Sequence, residues 1–65
     1  MKKDLAVVVG YIMFYDLIEV NGSFFSKIDK AVEIGEKFCS TYAEEERQGW
    51  VNIDFEETLE NFLKQ

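Results

Sequence analysis

The 65 residues are 48% hydrophobic and 15% aromatic with no proline, which describes one small folded domain spanning 1–65 and excludes a disordered tail. The chain has no histidine, so the commonest general base and transition-metal ligand is missing, and its single cysteine permits no internal disulfide, as expected of a reducing, cytoplasmic setting. Of the net charge of −6, the excess lies late: residues 44–60 hold seven acids and one base, against six and five in residues 1–43, which disfavours direct binding to nucleic-acid phosphates.

The longest apolar run is Leu5 to Val20, LAVVVGYIMFYDLIEV. Read as a helix, it takes Asp4 as N-cap and stops at Asn21-Gly22. At about 100° per residue, Ala6, Val7, Gly10, Tyr11, Met13, Phe14, Leu17 and Ile18 share a broad face, which is assigned to the core. Leu5, Val8, Ile12 and Tyr15 are then left over on the far side, an apolar patch of the kind that marks protein contact or a symmetric dimer. The alternative is β-structure, because Val7, Val8, Val9 and Ile12 are good strand formers and Asn21-Gly22 is a hairpin turn. That reading gives an α+β fold with an N-terminal hairpin followed by two helices. Both alternate faces of Leu5–Tyr15 are apolar and no other strand is evident, so the helix is preferred. The charge-free run from Leu5 to Tyr15 falls short of the ~20 residues of a membrane span. No small-residue cleavage site follows it, so no signal peptide is expected either.

Ser23-Phe24-Phe25 reads as a connector whose aromatic rings plug the core. Ser26 is placed as the cap of a second helix, with Asp29 at N3. Ile28, Ala31, Val32, Gly35, Phe38, Cys39 and Tyr42 then form its apolar stripe, the clearest periodic signal in the chain. Lys27, Lys30, Glu33, Glu36 and Lys37 lie outside, with Glu33 and Lys37 as an i,i+4 pair. The helix is expected to fade between Ala43 and Gln48, where Glu44, Glu45 and Glu46 oppose its dipole. Gly49 ends it, and Trp50 to Ile53 form an extended link. Asp54 is placed as cap of a third helix with Glu57 at N3, and Phe55, Leu59, Phe62 and Leu63 are its stripe. The fold expected is therefore all-α, a small three-helix bundle. Helices one and two are expected to cross closely near Gly10 and Gly35, so that Gly10→Leu would lower the melting temperature.

The chemistry is bland. Asp16 and Glu19 read as the solvated edge of a helix, and Cys39, inside a stripe, as a small hydrophobe. Asp54, Glu56, Glu57 and Glu60 lack the spacing and central glycine of a calcium loop. No catalytic, cofactor or metal site is identified, and the chain is read as non-enzymatic. Clustered carboxylates can instead imitate a phosphate backbone and occupy a nucleic-acid-binding cleft. In size and charge, though not in any motif, the chain resembles small viral inhibitors of host defence or transcription.

The expectation is a protein-binding module docking on a macromolecular partner, such as a virus- or mobile-element-encoded inhibitor of a host nucleic-acid-acting protein. The alternative is a self-associating, homodimeric structural or regulatory protein. Candidate contact residues are Leu5, Val8, Ile12 and Tyr15 on helix one, with Glu44, Glu45, Glu46, Trp50, Asp54, Glu56, Glu57 and Glu60. Neither direct nucleic-acid binding nor membrane insertion is expected.

Overall fold

The computed structural model describes residues 3–65, and the fold is all-α. The described residues form α1 (Lys3–Phe14), α2 (Phe24–Thr41), α3 (Glu44–Gln48) and α4 (Asn52–Leu63), and no strand. The hairpin alternative for the N-terminus is thus overturned. The bundle has one more helix than expected, because the tail assigned to the second helix is a separate turn of helix. Among the described residues, no helix is long and apolar enough to cross a membrane.

Helix α1 stops well before Gly22. Asp16 adopts a left-handed backbone with φ 53°. The Leu17 amide donates to the Ile12 carbonyl at 3.0 Å and the Asp16 amide to the Met13 carbonyl at 3.4 Å. This is a Schellman termination with aspartate in the position glycine usually fills, a conformation aspartate tolerates better than most residues. Lys27 of α2 forms an ion pair with the Asp16 carboxylate, fixing the turn to the next helix. Asp4 is not the cap expected of it. It lies inside α1 and accepts the Leu5 amide at 2.9 Å.

Helix α2 begins three residues before its expected start. The Ser23 hydroxyl, not Ser26, is the cap, accepting the Ser26 amide at 3.3 Å. The shift carries Phe24 and Phe25 out of the connector and into the first helical turn, where they are exposed rather than plugging the core. Their turn lies beyond the point where α2 packs on α1. At the other end, Tyr42 turns extended and α3 starts afresh at Glu44. The three glutamates therefore open a helix, where the dipole favours them, instead of closing one. Helix α4 also starts early, at Asn52. Asp54 sits in its first turn, and the cap position is Val51, which offers no side-chain hydrogen bond.

The hydrophobic core is Val8, Val9, Ile12, Ala31, Phe38 and Leu59. The expected stripes of α2 and α4 are all buried or half-buried. Of the face of the first helix assigned to the core, Tyr11, Met13, Leu17 and Ile18 do pack against that core, but the fully buried positions are ones left outside that face. Val8 and Ile12 are 1% and 0% exposed, and Leu5 is half-buried, whereas Ala6, Val7, Gly10 and Phe14 face water. The cause is visible on α2. A Cβ on Gly35 would lie 2.9 Å from Leu5 Cδ1, 3.1 Å from Val9 Cγ2 and 3.6 Å from Val8 Cγ1. Gly35 is a notch that seats the bulky residues of α1, and the face of small residues, Ala6 and Gly10, is left outside.

The two glycines hence part company. Gly35 makes the close approach, but nothing lies within 4 Å of where a Gly10 Cβ would stand. Gly10→Ala is expected to stabilise the fold by up to about 1 kcal/mol through helix propensity alone. Gly35→Val should destabilise it by about 1–3 kcal/mol through overpacking. Urea titrations of the two variants check the pair, and a Gly10→Ala variant less stable than the parent would refute the open placement of that position.

Candidate docking surface

Helices α1, α3 and α4 enclose an open cleft of about 390 Å³. Its apolar lining comes from Val7, Val8 and Tyr11 of α1 and from Trp50 and Phe55, and its polar lining includes Glu44, Gln48 and Asn52. Trp50 is where it is because Gly49 ends α3 and the next amide closes onto the Arg47 carbonyl at 3.3 Å. The indole lies with its ring centroid 6.0 Å from Phe38, 5.2 Å from Tyr42 and 6.2 Å from Phe55. Trp50 thus closes the bundle and also offers part of its surface to the cleft.

The base of the cleft is held by one residue that sequence reasoning passed over. Arg47 is the only arginine in the chain. Its side chain is 7% exposed and pairs with the Asp4 carboxylate. It also donates to the carbonyls of Cys39, at 3.0 Å, and of Tyr42. Those carbonyls belong to the last turn and cap of α2, where no intrahelical donor remains. One guanidinium therefore ties α3 to both α1 and α2. Its Nε is buried with no hydrogen-bond partner among the described residues. The available signal was a lone arginine following three glutamates, a cation whose neighbours could not hold it all by themselves.

Of the seven carboxylates on α3 and α4, Glu44 lines the cleft. Glu44, Glu45, Glu46, Asp54 and Glu57 are exposed, while Glu56 and Glu60 are half-buried. None of the seven is in an ion pair with a described residue, because Arg47 goes to Asp4 and the other three pairs lie on Lys27, Lys30 and Lys37. Val51 and Ile53, 64% and 73% exposed, stand between the two groups of acids in the chain. The Tyr11 hydroxyl has its pKa raised, chiefly by desolvation and further by the nearby Tyr15 and Glu56.

The candidate contact residues therefore divide. Leu5, Val8 and Ile12 cannot form a free patch, since Leu5 and Val8 pack against Gly35 of α2 and Ile12 is buried in the core, and of that group only Tyr15 is exposed. Glu44 and Trp50 both line the cleft, and the other acids follow along α3 and α4. Val7 lines the cleft as well, and Phe14, Phe24, Phe25, Val51 and Ile53 are exposed without having been singled out as contacts. No group of three or more His, Cys, Asp or Glu side chains among the described residues is arranged to hold a metal ion. No protein-family model, curated protein or solved structure shows significant similarity to the chain.

Proposed function

We propose that the chain is a non-enzymatic module that docks on the basic cleft of a nucleic-acid-acting protein, presenting carboxylates where phosphates would lie. The observation that carries this reading is the set of seven carboxylates on α3 and α4 with no ion-pair partner among the described residues, of which Glu44 lines an open cleft, with Val51 and Ile53 exposed between the two groups in the chain. Acids that served only solubility would be dispersed among lysines, as they are along the outer face of α2. Here seven of them follow one another on the last two helices with no lysine between, so their field adds up and steers association with a positive surface. The apolar residues supply what charge alone does not, a desolvated centre within a polar rim. An inhibitor encoded by a virus or mobile element is one setting in which such a module would act.

The test is binding to a basic nucleic-acid-binding protein with duplex DNA as competitor. The expected outcome is displacement by DNA and an affinity that falls steeply between low and moderate salt, since exposed charges are screened beyond ~10 Å at 0.1 M. Replacing Glu44, Glu45 and Glu46 together by glutamine should weaken binding at least ~10-fold while leaving the helical signal unchanged. Binding indifferent to salt and to those replacements would overturn the reading.

A further inference from the structure

We propose that the cleft between α1, α3 and α4 takes an arginine side chain of the partner, its guanidinium held against aromatic rings and the Glu44 carboxylate. The assignment rests on the docking reading of the acidic surface and names the group that its cleft would grip. The three rings lining the cleft are joined to one another by contact. Tyr11 meets Phe55 edge-on at 5.0 Å, and Trp50 is tilted against Phe55 at 6.2 Å, centroid to centroid. Val7 and Val8 of α1 add an aliphatic lining. Of the charged groups in the cleft, Asp4 and Arg47 are taken up by each other. Arg47 is also only 7% exposed and donates to two carbonyls, so it presents little charge to the opening. Glu44 is exposed and has no ion-pair partner among the described residues. One of its oxygens accepts the Gln48 amide at 3.0 Å, which leaves the second for a ligand. Gln48 and Asn52 each bring an amide oxygen to the same lining.

Charge and shape identify the occupant. The lining sets two carboxylates against one guanidinium, and Glu56 lies close enough to act on the Tyr11 hydroxyl, so the cleft is negative. It repels a carboxylate or a phosphate and attracts a cation. Aromatic faces add to that attraction when a cation stands within about 6 Å of the ring centre, and they meet arginine more often than lysine. A guanidinium is planar, stacks on rings, and is more weakly hydrated than an ammonium, so it loses less on leaving water. Its several N–H donors match the oxygens of Glu44, Gln48 and Asn52. The methylene stem of the same side chain would lie along the valines. The cleft, about 390 Å³, is near the lower end of the roughly 300–1,000 Å³ of ligand pockets, which suits one long side chain and not a helix or strand. Arginine is also the side chain with which nucleic-acid-acting proteins hold phosphates, so Glu44 would stand where a phosphate does.

Trp50 is the only tryptophan in the chain and lines the cleft, so its fluorescence reports on the occupant. The probes are the tripeptide acetyl-Gly-Arg-Gly-amide and its citrulline counterpart, which keeps the shape of arginine and loses the charge. Titration of the full chain at low ionic strength should give a saturable change in Trp50 emission with the arginine peptide. The citrulline peptide should bind at least ~10-fold more weakly. Glu44→Gln should weaken the arginine peptide at least ~5-fold, whereas Glu57→Gln, at an exposed acid outside the cleft, should change it less than ~2-fold. Val7→Phe, at a 50% exposed position, should fill the cleft and remove the response while the helical circular dichroism is kept. No saturable response, an equal response to both peptides, or equal losses from Glu44→Gln and Glu57→Gln overturns the proposal. Binding to the basic protein separates this failure from that of the docking reading. Salt-dependent binding that Val7→Phe leaves intact sinks the arginine cleft alone. An arginine-specific response in a chain that binds no basic protein supports the cleft and sinks the docking reading.

Discussion

Phe38→Ala is expected to abolish cooperative folding at room temperature. The ring is fully buried and lies 5.0 Å from Tyr42, 6.0 Å from Trp50, 5.9 Å from Phe55 and 5.4 Å from Phe62, centroid to centroid. It therefore joins α2, the α3–α4 link and α4 in one aromatic cluster. Truncating a buried phenylalanine to alanine costs about 3–5 kcal/mol, because the neighbours cannot collapse fully into the space. A core in a chain this short rarely supplies more than about 3–5 kcal/mol in total. The loss thus matches the whole stability, and the variant should show reduced helicity and no cooperative melt by circular dichroism. Phe14→Ala removes an equally large ring from a position 81% exposed and should leave the melting curve in place. A folded Phe38→Ala variant with a sharp transition would mean that α4 does not depend on this contact.

What could be read from the chain, and what could not, follows from how many ways each segment has of satisfying itself. The stripe from Ile28 to Tyr42 has one apolar side flanked by lysines and glutamates, so only one rotation of α2 buries it, and that rotation is the one seen. Phe55, Leu59, Phe62 and Leu63 are equally unambiguous. Leu5–Tyr15 is apolar nearly all round, and no intrinsic preference distinguishes its faces. The choice is made by α2, through the absent side chain of Gly35, and a tertiary notch leaves no trace in the periodicity of the helix it receives. The helix ends were hidden for a related reason. Asn21-Gly22 carried the obvious stop signal, yet termination fell on Asp16, where an ion pair with Lys27 and two carbonyl contacts stabilise a left-handed aspartate. Ser23 and Ser26 are both competent caps, and three residues' difference between them decides whether two phenylalanines belong to a core or to a surface. Of the docking surface, the acids were legible because charge is additive along a chain. The cleft was not, because it is built from three helices, one of which, α3, is anchored to α1 and α2 by Arg47.

That anchor gives the second large effect. Arg47→Met is expected to cost roughly 2–3 kcal/mol, and Asp4→Asn only about 1 kcal/mol. The figure for the arginine sits below the range for a fully buried pair because the Asp4 side chain keeps 25% of its exposure and the interaction is partly screened. The inequality between the two variants is the informative part. Asparagine at position 4 still offers an oxygen to the guanidinium, whereas methionine leaves Asp4 without its cation and the carbonyls of Cys39 and Tyr42 without the guanidinium donor. Arg47→Lys should rescue little, since a single ammonium cannot reach a carboxylate and two carbonyls at once as a planar fork does. A double-mutant cycle between positions 4 and 47 isolates the ion pair, and the remainder of the arginine effect belongs to the α2 carbonyls. Equal losses for the two single variants would show that the carbonyl contacts contribute nothing. Because α3 has only five residues, far below the ~12–15 at which a free helix becomes marginally stable, it has no existence apart from this anchor. Arg47→Met should accordingly raise amide exchange in residues 44–48 before it unfolds α1 or α2, and it should weaken salt-dependent docking even though no carboxylate of the acidic surface has been touched.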